Sequence, residues 1–292
     1  MIPAHIIKKI KRIHIKSRRT VDSLMAGQYR SVFRGAGIEF EEVREYVPGD
    51  EVKNIDWKVS ARMGRPFVKL YREERESIVM LLVDMSASLH GGSHFGSQLE
   101  RAAEVASVLA FNAVKNNDKV GVLFFTDQVE SYIPPKKGSS HVWRVIREIF
   151  TFTPRGRTTD IGSALDYLAK IQKKRAIVFV LSDFLDTGYL KSLQILRQKH
   201  EVIGVMIHDP GTDRLPAKGV ITLTDFETGE TRVFDAFDRK TRNGYSRARA
   251  VHRQEAAALF SRARSDMIEM ATRDSISKTL RRYFRLREQR LR

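Results

Sequence analysis

Two runs of the chain, IVMLLV at 78–83 and AIVFVL at 176–181, are apolar at every position. Neither alternates, so neither is a strand with one wet face. A run of this length that is apolar on both sides belongs in the middle of a sheet covered by helices on both faces. The segments around them keep the same rhythm. SQLERAAEVASVLAFNAVKNND, HVWRVIREIF, IGSALDYLAKIQKK and YLKSLQILRQKH carry helical spacing, while KVGVLFFTD and EVIGVMIHD carry strand composition. Strands alternating with helices predict an α/β fold, a doubly wound and mainly parallel sheet of Rossmann type. QVESYIPP is expected to pair as a hairpin partner of the strand before it. GVITLTDFETGETRVFDAF is expected to be a polar hairpin turning at Gly229, with a long helix from about Arg239 to Arg264, a short strand DMIEMA and a closing basic helix after it.

Residues 1–77 do not follow that rhythm. Ile2, Ile6, Ile10 and Ile13 stand at helical spacing among lysines and arginines, which predicts a short basic amphipathic helix over 2–16. EFEEVREY (39–46) reads as a strand, Pro48-Gly49-Asp50 as a turn, and VKNIDWKVSAR as a helix with Val52, Ile55 and Val59 on one face. Pro66 and the alternation after it suggest a returning strand. Two parts are therefore expected: 1–77, a basic helix with a β/α extension packed on the core, and 78–292, the main domain with basic C-terminal helices. The acids Glu39, Glu41, Glu42, Glu45, Asp50 and Asp56 are expected to pair with Arg44, Lys58 and Arg62 while Trp57 packs.

Charge and cysteine content narrow the function. The 292 residues carry a net charge of +17 and no cysteine. Disulfides, thiolate zinc sites and cysteine nucleophiles are excluded. Residues 1–20 hold seven lysines and arginines and no acid, and 239–292 are also strongly basic, so the middle is near neutral. Such ends suit an anionic membrane surface, an acidic protein face or nucleic acid, or are simply solvated helix faces. Aromatic interleaving for base stacking is weak, so no specific nucleic-acid partner is expected. No run is long enough to span a bilayer, and the N-terminus lacks the pattern of a signal peptide; a cytoplasmic protein, at most peripheral to a membrane, is expected.

In an open α/β sheet the ligand sits beyond the carboxyl ends of the strands. The first apolar strand runs into Asp84-Met85-Ser86-Ala87-Ser88, and the strand at 176–181 runs into Ser182-Asp183. A loop before one helix, GRTTDIGSAL, offers Thr158, Thr159 and Asp160. The local reading is a strand ending in a polar turn, since Asp and Ser favour turns. The functional reading is a cluster of hard oxygen donors that fits Mg²⁺ or Mn²⁺, with an open position for a partner's carboxylate. Other chemistries find less support. Gly91-Gly92 lacks the G-x-x-x-x-G-K-[ST] pattern of a phosphate loop, His90 and His94 lack the glutamate of a zinc helix, and Ser86 lacks a nucleophile elbow.

DMSAS, the threonine of GRTTDIGSAL and the aspartate of LSD together resemble the metal-ion-dependent adhesion site (MIDAS) of von Willebrand factor A domains. The resemblance implies that Ser86, Ser88 and Thr159 ligate the ion by their hydroxyls, with Asp84 and Asp183 acting directly or through water. Thr159 is preferred to Thr158 because it stands directly before Asp-Ile, as in that pattern. GQYRSVFRGAGIEFEEVREYVPGDEVKNIDWKVSARMGRPFVKLYREERE, followed by LLVDMSAS, resembles a bacterial family, domain of unknown function 58, as does the closing LRRYFRLR. That resemblance implies a partner, a MoxR-type AAA+ ATPase, and a role as adaptor in assembly or maturation. A non-enzymatic module that captures an acidic residue through Mg²⁺ is the leading expectation; a metal-dependent phosphoesterase using the same ion is the alternative.

Overall fold

Each apolar run becomes a central strand with parallel neighbours on both sides. In a computed structural model the described residues are 38–73, 76–93, 96–217 and 219–291. The described residues divide into two compact units, one within 38–77 and one within 78–291. In the larger unit β3 (Ile78–Asp84), β4 (Lys119–Phe125), β5 (Val129–Lys136), β6 (Ile177–Ser182), β7 (Glu201–His208) and β10 (Asp266–Ala271) form one sheet, ordered β10-β7-β6-β3-β4-β5. All pairs are parallel except β4 with β5, which is the expected hairpin. The α/β, mainly parallel fold read from the sequence is the fold of this unit.

Strand alternation sends even and odd positions to opposite faces. Met80, Leu82, Val178 and Val180 join one buried cluster with α4 (Ile161–Ile171), α5 (Leu190–Lys199) and the end of α6 (Arg239–Arg262). The opposite face is covered by α2 (Gln98–Lys115), which contacts β3, β4, β6 and β7, and by α3 (Ser139–Thr151) against β4 and α2. Burial of these side chains, at roughly 1.5–3 kcal/mol for each large one, is the main force holding the layers.

The order of strands has a functional consequence. From β3 the chain crosses to β4 on one side, then returns to place β6 on the other. The direction of winding reverses between β3 and β6, and their carboxyl ends therefore flank the crevice at which such sheets bind ligands.

In the smaller unit β1 (Ile38–Glu45) pairs antiparallel with β2 (Phe67–Glu73), with a bulge between Phe40 and Glu42. The helix expected over 52–62 is shorter. Val52–Asn54 is one 3₁₀ turn, Ile55 bridges to Val68, and α1 spans Trp57–Met63. The cause is Asp56: its carboxylate accepts from the Lys58 and Val59 amides at 3.0 and 3.2 Å, so it caps the helix and ends the preceding turn. Val52 and Trp57 are exposed, so Trp57 does not pack as expected. The acids pair locally: Arg44 grips Asp50 with both guanidinium nitrogens (2.7 and 2.8 Å), while Arg65 meets Glu45 and Lys69 meets Asp56. Beyond Arg44, these partners are not the Lys58 and Arg62 that the sequence suggested.

The hairpin β8 (Val220–Thr224) and β9 (Thr231–Asp235) and the long helix α6 follow as expected. The basic C-terminal helix α7 (Ile276–Leu291) is partly structural. Ile276, Leu280 and Phe284 are buried at helical spacing, and Arg287 turns inward to Glu201 and to Asp266 (2.8 Å). Some of the terminal charge is thus spent on internal pairing. The basic helix expected over 2–16 lies outside the described residues.

His200, just before β7, is 1% exposed, and its Nδ1 accepts from the Ala176 amide at 3.2 Å. Burial, with Lys199 and Arg175 nearby, pushes its pKa down to about 4. Because the folded value lies below the ordinary 6.5, its contribution to stability is full above pH 6.5 and is lost as pH falls through 4. Thermal denaturation between pH 7 and 4 should therefore show an acid-dependent loss, at most about 3 kcal/mol from this group. His200→Gln should flatten that part of the profile.

Candidate functional site

β3 delivers Asp84 to the crevice and β6 delivers Ser182 directly beside it, since Val83 lies opposite Leu181 in the parallel register. The Ser182 hydroxyl donates to Asp84 Oδ2 at 2.5 Å, and the Ser86 amide donates to Asp84 Oδ1 at 2.8 Å. Both carboxylate oxygens are thus aimed by short bonds. The chain then makes a 3₁₀ turn, Ala87–His90, which folds the loop back so that the Ser86 and Ser88 hydroxyls stand 3.0 Å apart. The alternate spacing of the two serines places them on one side of that turn. His90 Nδ1 against the Ser86 carbonyl (3.2 Å) closes it, so His90 serves the loop. His94 lies outside the described residues.

Asp183 follows β6 and is 5% exposed. Its Oδ1 accepts from the Leu185 amide at 3.2 Å, whereas its Oδ2 is buried with no hydrogen-bond partner among the described residues. The turn that holds it is strained. Phe184 is buried and has φ of 59°, a left-handed conformation that a bulky residue rarely takes. The Ser182 hydroxyl, 2.9 Å from the Phe184 amide, and the Phe184 ring, packed edge-on against Phe260, hold it there.

Thr159 comes from the loop between α3 and α4. Glu130 on β5 anchors that loop by accepting from the Arg155 and Gly156 amides (2.9 and 2.7 Å) and from Thr126 (2.8 Å). Asp160 then caps α4 through the Ser163 amide, and Asp186 accepts from Ile161. Thr159 is half-buried and Thr158 exposed. The Thr159 hydroxyl donates to Glu227 at 2.7 Å. Ser88 faces both Glu227 and Asp183 and favours the charged form of each. The five residues singled out in the sequence therefore converge on one crevice. Glu227, from the turn of the β8–β9 hairpin, joins them although the sequence reading passed over it.

The electrostatics are unfavourable for these groups alone. Burial, and then the neighbouring Asp183, push Asp84 up to about 7, against the pull of Ser182 and Ser86. Asp183 is also raised by burial, opposed by Ser88, the Leu185 amide and Arg249. Two buried carboxyls side by side, one with a bare oxygen, call for a proton or a cation. Among the described residues no three His, Asp or Glu gather closely enough to hold a metal by themselves, so an ion here would need the hydroxyls as further donors. The donor set is all hard oxygen, and with the bare Asp183 Oδ2 it fits a small divalent ion.

The larger unit is an open, mainly parallel α/β sheet of Rossmann type with these loops gathered at the carboxyl ends of its central strands. The family described as "Protein of unknown function DUF58" matches residues 42–255, and the chain belongs to it. An uncharacterized protein of Mycobacterium tuberculosis is 29% identical over 90% of this chain and 84% of its own length. Among solved structures, an aerotolerance-related membrane protein from Bacteroides fragilis is 17% identical, with a TM-score of 0.49 over 73% of this chain and 99% of that one. A von Willebrand factor type A protein from Catenulispora acidiphila is 13% identical, with a TM-score of 0.39 over 76% of this chain and 43% of that one. No helix among the described residues is long and apolar enough to cross a membrane.

Two outcomes follow. Asp84→Asn keeps the shape and removes a buried charge, so in EDTA the variant should match or exceed the wild type in Tm. It should lose any stabilisation that Mg²⁺ gives the wild type. At Gly156 a side chain would overlap Thr126 and Asp127, so Gly156→Ala should cost about 1–3 kcal/mol in denaturant unfolding by displacing the Thr159 loop.

Proposed function

We propose that this chain is a non-enzymatic protein-binding module that captures an acidic residue of a partner through Mg²⁺ (or Mn²⁺) at the crevice between β3 and β6. The observation that carries this reading is the buried Asp183 Oδ2, which has no hydrogen-bond partner among the described residues and stands near hydroxyls and a second buried carboxyl. Ser86, Ser88 and Thr159 would offer hydroxyl oxygens, and Asp84 and Asp183 would balance the charge. A bound ion with few protein charges around it stays electrophilic and so supplies a position for an external carboxylate. The protein's own part is orientation. Ser182 and the Ser86 amide fix Asp84, and the strained Phe184 turn fixes Asp183.

The DUF58 sequence pattern supports a MoxR-type AAA+ ATPase as the partner, with the module serving assembly or maturation. The exposed basic residues of α7, among them Lys278, Arg282 and Arg285, suit a further acidic surface on a protein or an anionic membrane. A cytoplasmic or membrane-peripheral location fits such partners.

The test is a pull-down of a purified MoxR-type ATPase from the same genome, with Mg²⁺ and with EDTA. Retention should require Mg²⁺ and fall at least about tenfold with Asp84→Ala, the scale on which losing a metal-site group acts. Retention unchanged by EDTA and by Asp84→Ala would refute metal-mediated capture. Phosphate-ester turnover abolished by the same substitution would point to the enzymatic alternative.

A further inference from the structure

The β8–β9 hairpin is long in sequence from every other part of the crevice, yet its turn is fastened onto it. Asp225 organises the turn by accepting from the Glu227 and Thr228 amides at 2.8 and 3.1 Å, and Gly229 with φ of 75° lets the chain reverse. Three contacts then dock it. The Arg157 guanidinium donates to the Phe226 carbonyl at 3.0 Å, while the Arg157 carbonyl accepts from Ala87 in the serine loop at 2.8 Å. The Phe226 ring lies so close over Gly91 that a β-carbon there would stand 3.1 Å from it. Glu227 takes the Thr159 hydroxyl at 2.7 Å and faces Ser88.

Glu227 thus sits on two of the three hydroxyls expected to ligate an ion, near Asp183. A half-buried carboxylate brought toward the buried Asp183 carboxyl is repelled unless a proton or a cation relieves the pair, and a cation is what the surrounding hydroxyls suit. Exposed acids were available for an ordinary turn; Glu230, in the same hairpin, is 66% exposed at its side chain and pairs with Arg232. Asp183 Oδ2, buried and without a partner among the described residues, is the independent sign that the crevice is built to receive a ligand.

We infer that Glu227 is a built-in acidic ligand of the crevice, occupying the place that a partner's carboxylate would take. This rests on the divalent-cation reading above. An incoming acid must then displace the hairpin tip, so capture is gated by how firmly Phe226 and Arg157 hold it.

The test uses Mn²⁺ alone as probe, with the full chain, by electron paramagnetic resonance titration and by water-proton relaxation of the bound ion. Glu227→Gln should raise the Mn²⁺ dissociation constant about tenfold. It should also add about one exchangeable water to the bound ion, the position Glu227 vacates. Glu230→Gln should change neither quantity. If the wild type binds Mn²⁺ and Glu227→Gln binds it equally well with the same number of waters, the inference is wrong while the cation reading stands. If neither binds Mn²⁺, the cation reading falls and the inference with it. Circular dichroism at matched temperatures establishes that each variant is folded.

Discussion

The fold's functional end depends on one arrangement: the Asp84 carboxylate, fully buried at the end of a central strand, held by the Ser182 hydroxyl of the adjacent strand. A buried carboxyl is costly, and a second one, Asp183, lies beside it. For stability alone an apolar pair at these positions would serve better. The surrounding structure instead spends hydrogen bonds and a strained backbone at Phe184 to keep both carboxyls in place. These bonds and this strain lie where the winding of the sheet reverses, the place at which open α/β sheets bind ligands.

The parts of the fold that were legible in the sequence are those set by local pattern. IVMLLVD and AIVFVLSD could only be central strands, and the paired β3 and β6 bear that out with neighbours on both sides. α2 and α6 follow from long helical periodicity. The helix expected from Val52 failed because Asp56, read as a surface acid, caps the chain one turn later. Its side-chain bond to the backbone outweighed three apolar residues at helical spacing. Trp57 was expected inside on hydrophobicity alone and lies outside.

In the site, Asp84, Ser86 and Ser88 were legible because they are neighbours in one loop, and Thr159 and Asp183 because each follows a recognisable pattern. Glu227 was not. It contacts Thr159 across 68 residues, from a hairpin whose composition reads as any polar turn. The one local clue is the DFETGE sequence, in which Asp225 and Gly229 shape a tight reversal that carries residue 227 at its tip. Which surface that tip meets is a matter of tertiary packing. Ser182 was visible as a strand-end residue, but its bond to Asp84 depends on the β3–β6 register, which only the sheet order reveals.

The crevice between β3 and β6 is proposed to hold a divalent cation. The most direct measurement is anomalous diffraction from crystals grown with Mn²⁺, collected at its absorption edge. A single strong anomalous peak within about 2.0–2.6 Å of protein oxygens from Ser86 and Ser88, with Asp84 and Asp183 at or just beyond that range, is the expected result. Crystals in which these loops are well ordered but the peak is absent, or lies elsewhere, would contradict the account.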